Sequence, residues 1–292
     1  MSRNQKRPQK RKRGFVDVLL TLCLLLAIGI FCYAGYNLLH IYMEYKKGSD
    51  EYTQIAKMAV KEREADSLPQ AEPVEAAGGD GQTVTVVQPP ESIPLPIQVD
   101  FDSLRSVNED VNGWIYVEAV SDIINYPVVR GADNTYYLHN TYQGTYNFAG
   151  TIFVDYENKK DFSDCNTLVY GHNMKNGSMF AQLKLFTKDG QAYKRSKYFW
   201  MFTPEAAYRY EIISAYTVAV DGDTYTLFKG PGEEFLEWEK KMVTYSQIPG
   251  QPHLNTDEFT VNDKVITLST CTGDYSTRYV VQGRRVNTVP YN

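Results

Sequence analysis

The sequence predicts a mainly β body, a barrel or a sandwich with a few helical insertions, carried behind a single apolar helix. Three observations lead there. Short β-rich runs follow one another (INYPVV, GTIFVDY, NTLVYGH, YRYEIISAYTVAV, KVITLST and RYVVQGRRV), parted by turn-formers and lacking the regular intervening helices of a βαβ array. The chain holds 23 tyrosines, a residue that suits a pleated, half-buried surface. Finally, Val18–Tyr36 carries no charge, while the first 13 residues hold seven Lys or Arg and no acid.

That uncharged run is the first element. At about 1.5 Å per residue it makes a helix roughly 28 Å long, close to the hydrocarbon thickness of a bilayer. A cleavable leader would have a shorter apolar core and a small-residue cleavage site. Here the run passes through Phe31, Tyr33 and Tyr36 into Asn37 without one, so 15–39 reads as an uncleaved membrane anchor. The basic tail at 1–14, with Arg3, Lys6, Arg7, Lys10, Arg11, Lys12 and Arg13, is expected to stay in the cytoplasm, which puts the rest of the chain outside. Residues 40–98 read as a stalk. Leu38 to about Glu64 is charged and poor in breakers, consistent with a helix leaving the bilayer, and Ala65 to about Pro96 turns to Pro, Gly, Ala, Glu and Gln, the composition of a disordered tether.

The folded head is expected at 99–292. Phe101, Leu104 and Val107 or Asn108 keep helical spacing, Gly113 stops the pattern, and WIYV follows as a strand. One insertion, PGEEFLEWEKKMVTYS at about 232–246, puts Phe235, Trp238 and Met242 on one helical stripe, widened by Leu236 and Val243. Glu237, Glu239, Lys240 and Lys241 take the remaining face. Acids in its first turn favour a helix start, so it reads as a helix between two late strands. The formal charge of −5 includes the basic tail, so the exported part is more acidic than the whole, and nothing in it suggests a nucleic-acid surface. Cys23 and Cys32 fall in the anchor. Cys165 and Cys271 fall in the head, either as one disulfide or as free thiols of which one is reactive.

The chemistry gathers at residues 266–285, ITLSTCTGDYSTRYVVQGRR. Lys264 to Cys271 alternates as a strand, with Val265, Thr267, Ser269 and Cys271 on one face, and Arg278 opens the next alternating run. TGDYST joins the two, so a hairpin sets Cys271 and Arg278 opposite each other or one diagonal step apart. A fixed cation beside a thiol favours the thiolate and can hold a developing oxyanion. A cysteine nucleophile also needs an acid/base partner, commonly histidine. Among His40, His139, His172 and His253, His172 ends the strand NTLVYGH ahead of a glycine-containing loop, just as Cys271 ends its own strand. Taken alone, such a cysteine and histidine are more often a buried apolar residue and a hydrogen-bonded loop residue. The conjunction with the paired arginine raises the catalytic reading, whereas Cys165, ahead of the strand leading to His172, reads as structural. No HExxH or CxxC pattern occurs, and Asp221 and Asp223 in VDGDT read as a solvated turn, so neither a metal nor another cofactor is expected.

These residues resemble the sortases, membrane-anchored cysteine transpeptidases of mainly Gram-positive bacteria. TLSTC followed by an arginine at the start of the next strand, with YGH upstream, carries the likeness. The finer match is to class B sortases through DFDSLRSVNEDVNGWI, NYPVV, DNTYYL, GTIFVDY, NTLVYGHNMKNGSMFAQL and ITLSTC. The resemblance implies a closed β-barrel with an N-terminal helical segment and a helix inserted between two late strands. It also implies a catalytic set of Cys271, His172 and Arg278, with Ser269 and Thr270 beside the substrate. The spacing from Cys271 to Arg278 is short for the family, which leaves Arg284 and Arg285 as alternatives. The implied partners are exported proteins bearing a C-terminal sorting motif, an amine of a peptidoglycan precursor or cross-bridge, and the cytoplasmic membrane. Two rival readings use the same residues: an extracellular cysteine peptidase or L,D-transpeptidase-like enzyme, and a tethered adhesion or sensor ectodomain in which Cys165 and Cys271 form a disulfide.

Overall fold

The computed structural model describes residues 14–62 and 93–291. The basic tail at 1–13 and the expected disordered tether as far as residue 92 lie outside the described residues. Helix α1, Phe15–Ala59, is the one described helix long and apolar enough to cross a membrane. The chain divides after Lys47, and the second compact unit opens at Gly48. Within that unit the last turns of α1 bury Glu51, Tyr52, Ile55 and Ala59, a stripe at helical spacing. Strand β1, Val60–Glu62, then pairs antiparallel with β2, Ile97–Val99, and the Asp100 N–H donates to the Ala59 carbonyl over 2.8 Å.

The compact head therefore starts at Gly48 and takes in chain that the sequence reading assigned to the stalk. The charges of KKGSDEYTQIAK masked a narrow buried stripe, and a strand of three residues is too short to show alternation. Helix α2, Phe101–Val107, forms where its apolar spacing predicts, with the Asp100 carboxylate accepting from the Ser103 N–H at 3.0 Å as an N-cap.

Eight strands then close into a barrel, which decides between barrel and sandwich. They are β3 (Val111–Val117), β4 (Asn125–Val129), β5 (Ile152–Val154), β6 (Asn166–Tyr170), β7 (Tyr198–Phe202), β8 (Ala206–Ala219), β9 (Val265–Cys271) and β10 (Thr277–Pro290). Two short helices, α3 (Leu185–Lys188) and α4 (Gln191–Arg195), lie between β6 and β7, and α5 (Glu233–Thr244) lies between β8 and β9. The strand order is β10-β8-β7-β3-β4-β5-β6-β9, closed by the β9–β10 pair. All neighbours are antiparallel except β4 with β5 and β6 with β9. Strand β7, YFWMF, is an aromatic run without alternation and was not among the runs singled out in the sequence.

A buried polar ladder crosses the wall that carries the strand-end cysteine. Thr267 Oγ1 donates to Asn166 Oδ1 at 2.8 Å, and Gln282 Nε2 donates to Thr267 Oγ1 at 3.0 Å. Ser214 and Tyr216 both donate to Gln282 Oε1, at 2.9 and 3.0 Å. Four strands, β6, β9, β10 and β8, are thus tied side chain to side chain.

Helix α5 packs Phe235, Trp238 and Met242 against Tyr216, Val265, Val280 and Cys165, as its apolar stripe predicts. Glu239 departs from the expected polar face and is fully buried. It lies one helical turn from Phe235 and next to Trp238, so position on the cylinder outweighs its charge. Burial is the main cause that pushes its carboxyl up to about 8, and nearby Asp263 adds to the shift.

Because Ile55 is 2 % exposed, Ile55→Ala in a soluble fragment beginning at Gly48 should cost about 2–5 kcal/mol, read as a lower urea midpoint with an unchanged slope. A fragment beginning at Val99, which lacks β1 and the whole buried stripe, should unfold at a lower midpoint still. Equal midpoints for all three would show that the end of α1 is not part of the folded head.

Candidate active site

Strand β9 runs buried from Val265 to Thr270 and surfaces at Cys271, its last residue. The β9–β10 register pairs Arg278 directly with Cys271, in agreement with the hairpin argument, and pairs Arg284 with Val265 at the far end of the strand. Arg284 is engaged there by Asp263 at 3.2 Å, and Arg285 lies over the Tyr208 ring at 4.7 Å. Among the arginines weighed from the sequence, Arg278 alone shares the end of the sheet with the thiol. Its Nη1 donates to the carbonyls of Thr277 and Tyr275, at 2.9 and 3.2 Å, which fixes the guanidinium at the turn.

On the other side of β9, parallel strand β6 pairs Tyr170 with Ser269, and the Gly171 N–H continues the ladder to the Ser269 carbonyl over 3.1 Å. His172 leaves the sheet at the level where Cys271 ends. Asn173 Nδ2 then donates to the Cys271 carbonyl at 2.8 Å, tying the two strand ends together. The result is one cleft, with a volume of about 210 Å³, whose walls include Cys271, His172, Arg278, Ser269 and Thr270. All five residues singled out from the sequence meet there.

His172 is held from both sides. Its Nε2 lies 2.8 Å from the Leu138 carbonyl, which can only accept, so Nε2 carries the proton and the neutral ring keeps its lone pair on Nδ1. Behind it, a Cβ added at Gly171 would come within 2.7 Å of the Phe180 ring, so only glycine lets that ring close over the chain. The Phe180 N–H donates to the His172 carbonyl over 3.0 Å. Burial depresses the His172 pKa below its ordinary value, and the neighbouring His139 ring, stacked at 6.2 Å, pushes in the same direction. The Leu138 hydrogen bond opposes them.

Ser269 Oγ lies 2.9 Å from Tyr225 Oη, and Thr270 Oγ1 is buried without a hydrogen-bond partner among the described residues. Three groups were missed in the sequence. Asn173 is adjacent to His172 and only its neighbour pointed to it. Leu138 acts through its carbonyl, which no residue type announces. Tyr225 comes from a separate loop.

Cys165 is buried, and its carbonyl accepts from the Val265 N–H, so it sits beside the opposite end of β9 from Cys271. Six strand residues separate those levels by about 20 Å, whereas a disulfide requires Cα atoms within about 7 Å. Both cysteines are free thiols, which removes the disulfide-stapled ectodomain reading.

The Sortase domain family model matches residues 115–286. The chain belongs to the sortase family. It is 35% identical to sortase B of Listeria monocytogenes over 195 residues, which covers 65% of this chain and 75% of that one. With sortase B of Staphylococcus aureus it shares 31% over 184 residues, 62% of this chain and 70% of that one. The crystal structure of sortase B from Bacillus anthracis in complex with AAEK1 aligns with a TM-score of 0.62 at 26% identity, over 84% of this chain and 99% of that one. The chain is thus a class B sortase, a cysteine transpeptidase, and the peptidase, L,D-transpeptidase-like and ectodomain readings are not favoured.

In this sortase, replacing His139 removes both a like-charged neighbour and part of the cover on His172, and both changes favour the imidazolium. His139→Ala should therefore raise the His172 pKa toward the ordinary histidine value, followed by NMR titration of the ring protons in a Cys271→Ala background. A pKa that stays put or falls would contradict the account. A depressed histidine pKa contributes stability that is present above the ordinary value of 6.5 and is lost as pH falls below it through the folded pKa.

Proposed function

We propose that Cys271 is the nucleophile of this sortase, His172 its general acid and base, and Arg278 the donor to substrate backbone and oxyanion. The register that sets Arg278 opposite Cys271, with His172 delivered by the parallel neighbour, is the observation that carries the proposal. Cys271 gives its thiol proton to His172, and Sγ attacks the carbonyl carbon of the threonine in a C-terminal sorting motif as the carbonyl electron pair moves onto oxygen. The tetrahedral adduct collapses to a thioester as the amine of the following residue departs with a proton from His172. An amine of a peptidoglycan precursor or cross-bridge then gives a proton to His172, attacks the thioester and releases Cys271. A depressed pKa serves both halves: protonated His172 is a stronger acid toward the leaving amine, and the neutral base predominates for the incoming one.

The guanidinium acts through its planar fork as well as its charge, because the oxyanion and the substrate carbonyls must be met together. Ser269 and Thr270, lining the same cleft, contact the bound motif. The anchor at 15–39 holds the enzyme in the cytoplasmic membrane, with the basic tail inside and the head outside.

A peptide carrying the sorting motif should be cleaved by the chain with accumulation of a Cys271-linked acyl-enzyme visible by mass spectrometry. Cys271→Ala should abolish both cleavage and adduct, while Cys165→Ala keeps most activity. The reverse pattern would move the nucleophile to Cys165.

Arg278→Lys should lose about 10²-fold in kcat with the fold retained by circular dichroism. Arg284→Lys should alter stability through its Asp263 pair and leave kcat nearly unchanged. A lysine at 278 that works as well as arginine would remove the fork from the mechanism.

In intact cells a membrane-impermeant maleimide should label the chain at Cys271. Labelling only after the membrane is permeabilised would invert the topology.

A further inference from the structure

Two chains of contacts lead from a single α1 side chain to the two walls that hold His172. Tyr52 is 5 % exposed, and its hydroxyl donates to the Gly150 carbonyl and lies 3.1 Å from Thr151 Oγ1. Gly150 has φ +55°, and any Cβ there would run into the carbonyl oxygens of Tyr137 and Leu138. The Gly150 backbone thus lies directly against the Leu138 carbonyl that accepts from His172 Nε2. The Thr151 N–H closes the same wall by donating to the Tyr137 carbonyl over 2.9 Å, and Thr151 itself lines the cleft. Beside Tyr52, Glu51 Oε1 accepts from the Gln143 N–H at 3.1 Å and pins the same loop.

The second chain starts from the ring. Tyr52 meets Tyr126 edge to face, with centroids 5.4 Å apart, and Tyr126 Oη accepts from the Met179 N–H at 3.3 Å. Met179 is one of two non-glycine residues with positive φ among the described residues, at 55°. It bridges to Asn173, and the next residue, Phe180, donates to the His172 carbonyl. The loop that follows His172 is therefore braced by the same tyrosine whose hydroxyl braces the loop in front of it.

We infer that Tyr52 is a positioning residue for His172, and that the end of the anchoring helix is in this way a working part of the active site. Burying a phenol without a partner for its hydroxyl costs free energy, and a phenylalanine would fill the same space without that cost. Here the hydroxyl reaches the backbone of the segment that orients the imidazole. The inference rests on His172 being the acid and base.

The test uses the full chain in detergent micelles, a fluorogenic sorting-motif peptide that the unaltered chain cleaves, and three variants. Tyr52→Phe keeps the ring and removes the donor. It should lower kcat by about 10-fold or more with KM little changed, as expected when a reacting group is misplaced, and shift the kcat–pH limb that belongs to His172. Ile55→Ala, one turn along the same buried stripe, should lower the melting temperature while leaving that limb and kcat in place below the transition. His172→Gln should be inactive. A Tyr52→Phe enzyme with the kcat and pH profile of the unaltered chain overturns the inference, as does an Ile55→Ala enzyme whose limb moves equally. If His172→Gln is inactive and Tyr52→Phe is normal, only the positioning role fails. If His172→Gln retains activity, the acid/base assignment fails and the positioning role falls with it.

Discussion

The buried ladder from Asn166 through Thr267 and Gln282 to Ser214 and Tyr216 fixes the relative register of four strands, and the geometry of the proposed site depends on that register. A slip of one residue would turn every side chain of a strand to the other face. Between apolar strands such a slip is opposed only by packing. Here it would also strand several polar groups in the interior without partners, each costing about 1–3 kcal/mol. Cys271 lies four residues beyond Thr267 on the same face, and Arg278 lies four residues before Gln282. The ladder therefore acts as a ruler: once Thr267 and Gln282 are level, thiol and guanidinium are level as well, and on the β6 side Asn166 sets the height at which His172 emerges.

The two late strands and their hairpin were legible because they obey local rules. Alternation assigned the faces of β9, and a short turn brought Arg278 opposite Cys271 or one diagonal step away, a choice the register of β9 and β10 resolves. Motif likeness supplied the closed barrel, which alternation alone could not separate from a sandwich. What escaped the sequence reading did so for physical reasons. Strand β7 is buried on both faces, so its aromatic run has no period. Glu239 was placed by its charge, although its angular position puts it in the apolar stripe. The end of α1 was read as stalk because five buried residues among many charges are a weak signal, and a partner lies some ninety residues away in the Glu51–Gln143 contact.

The surroundings of His172 show the same division more sharply. Its place at a strand end could be read from NTLVYGH. Its tautomer and depressed pKa could not, because they come from a backbone carbonyl at Leu138, a second imidazole at His139 and the cover supplied by the cleft. The carbonyl is common to every residue type and carries no compositional mark. Gly171 and Gly177 are visible as glycines, yet only the packing of Phe180 and the left-handed turn show why no other residue serves at those positions.

The parallel pairing of β6 with β9 also bears on the order in which the proposed site is assembled. The contact that joins the two strand ends, from Asn173 to the Cys271 carbonyl, spans 98 residues of sequence. Contacts of that range close late, because a long loop must be ordered before they repay it. If the head is exported as proposed, N-terminus first, His172 is presented before Cys271, and Cys271 has neither imidazole nor ladder beside it until the wall closes. An unfinished head therefore carries an isolated thiol, and with the roles proposed above the acyl-transfer site is complete only in the closed barrel.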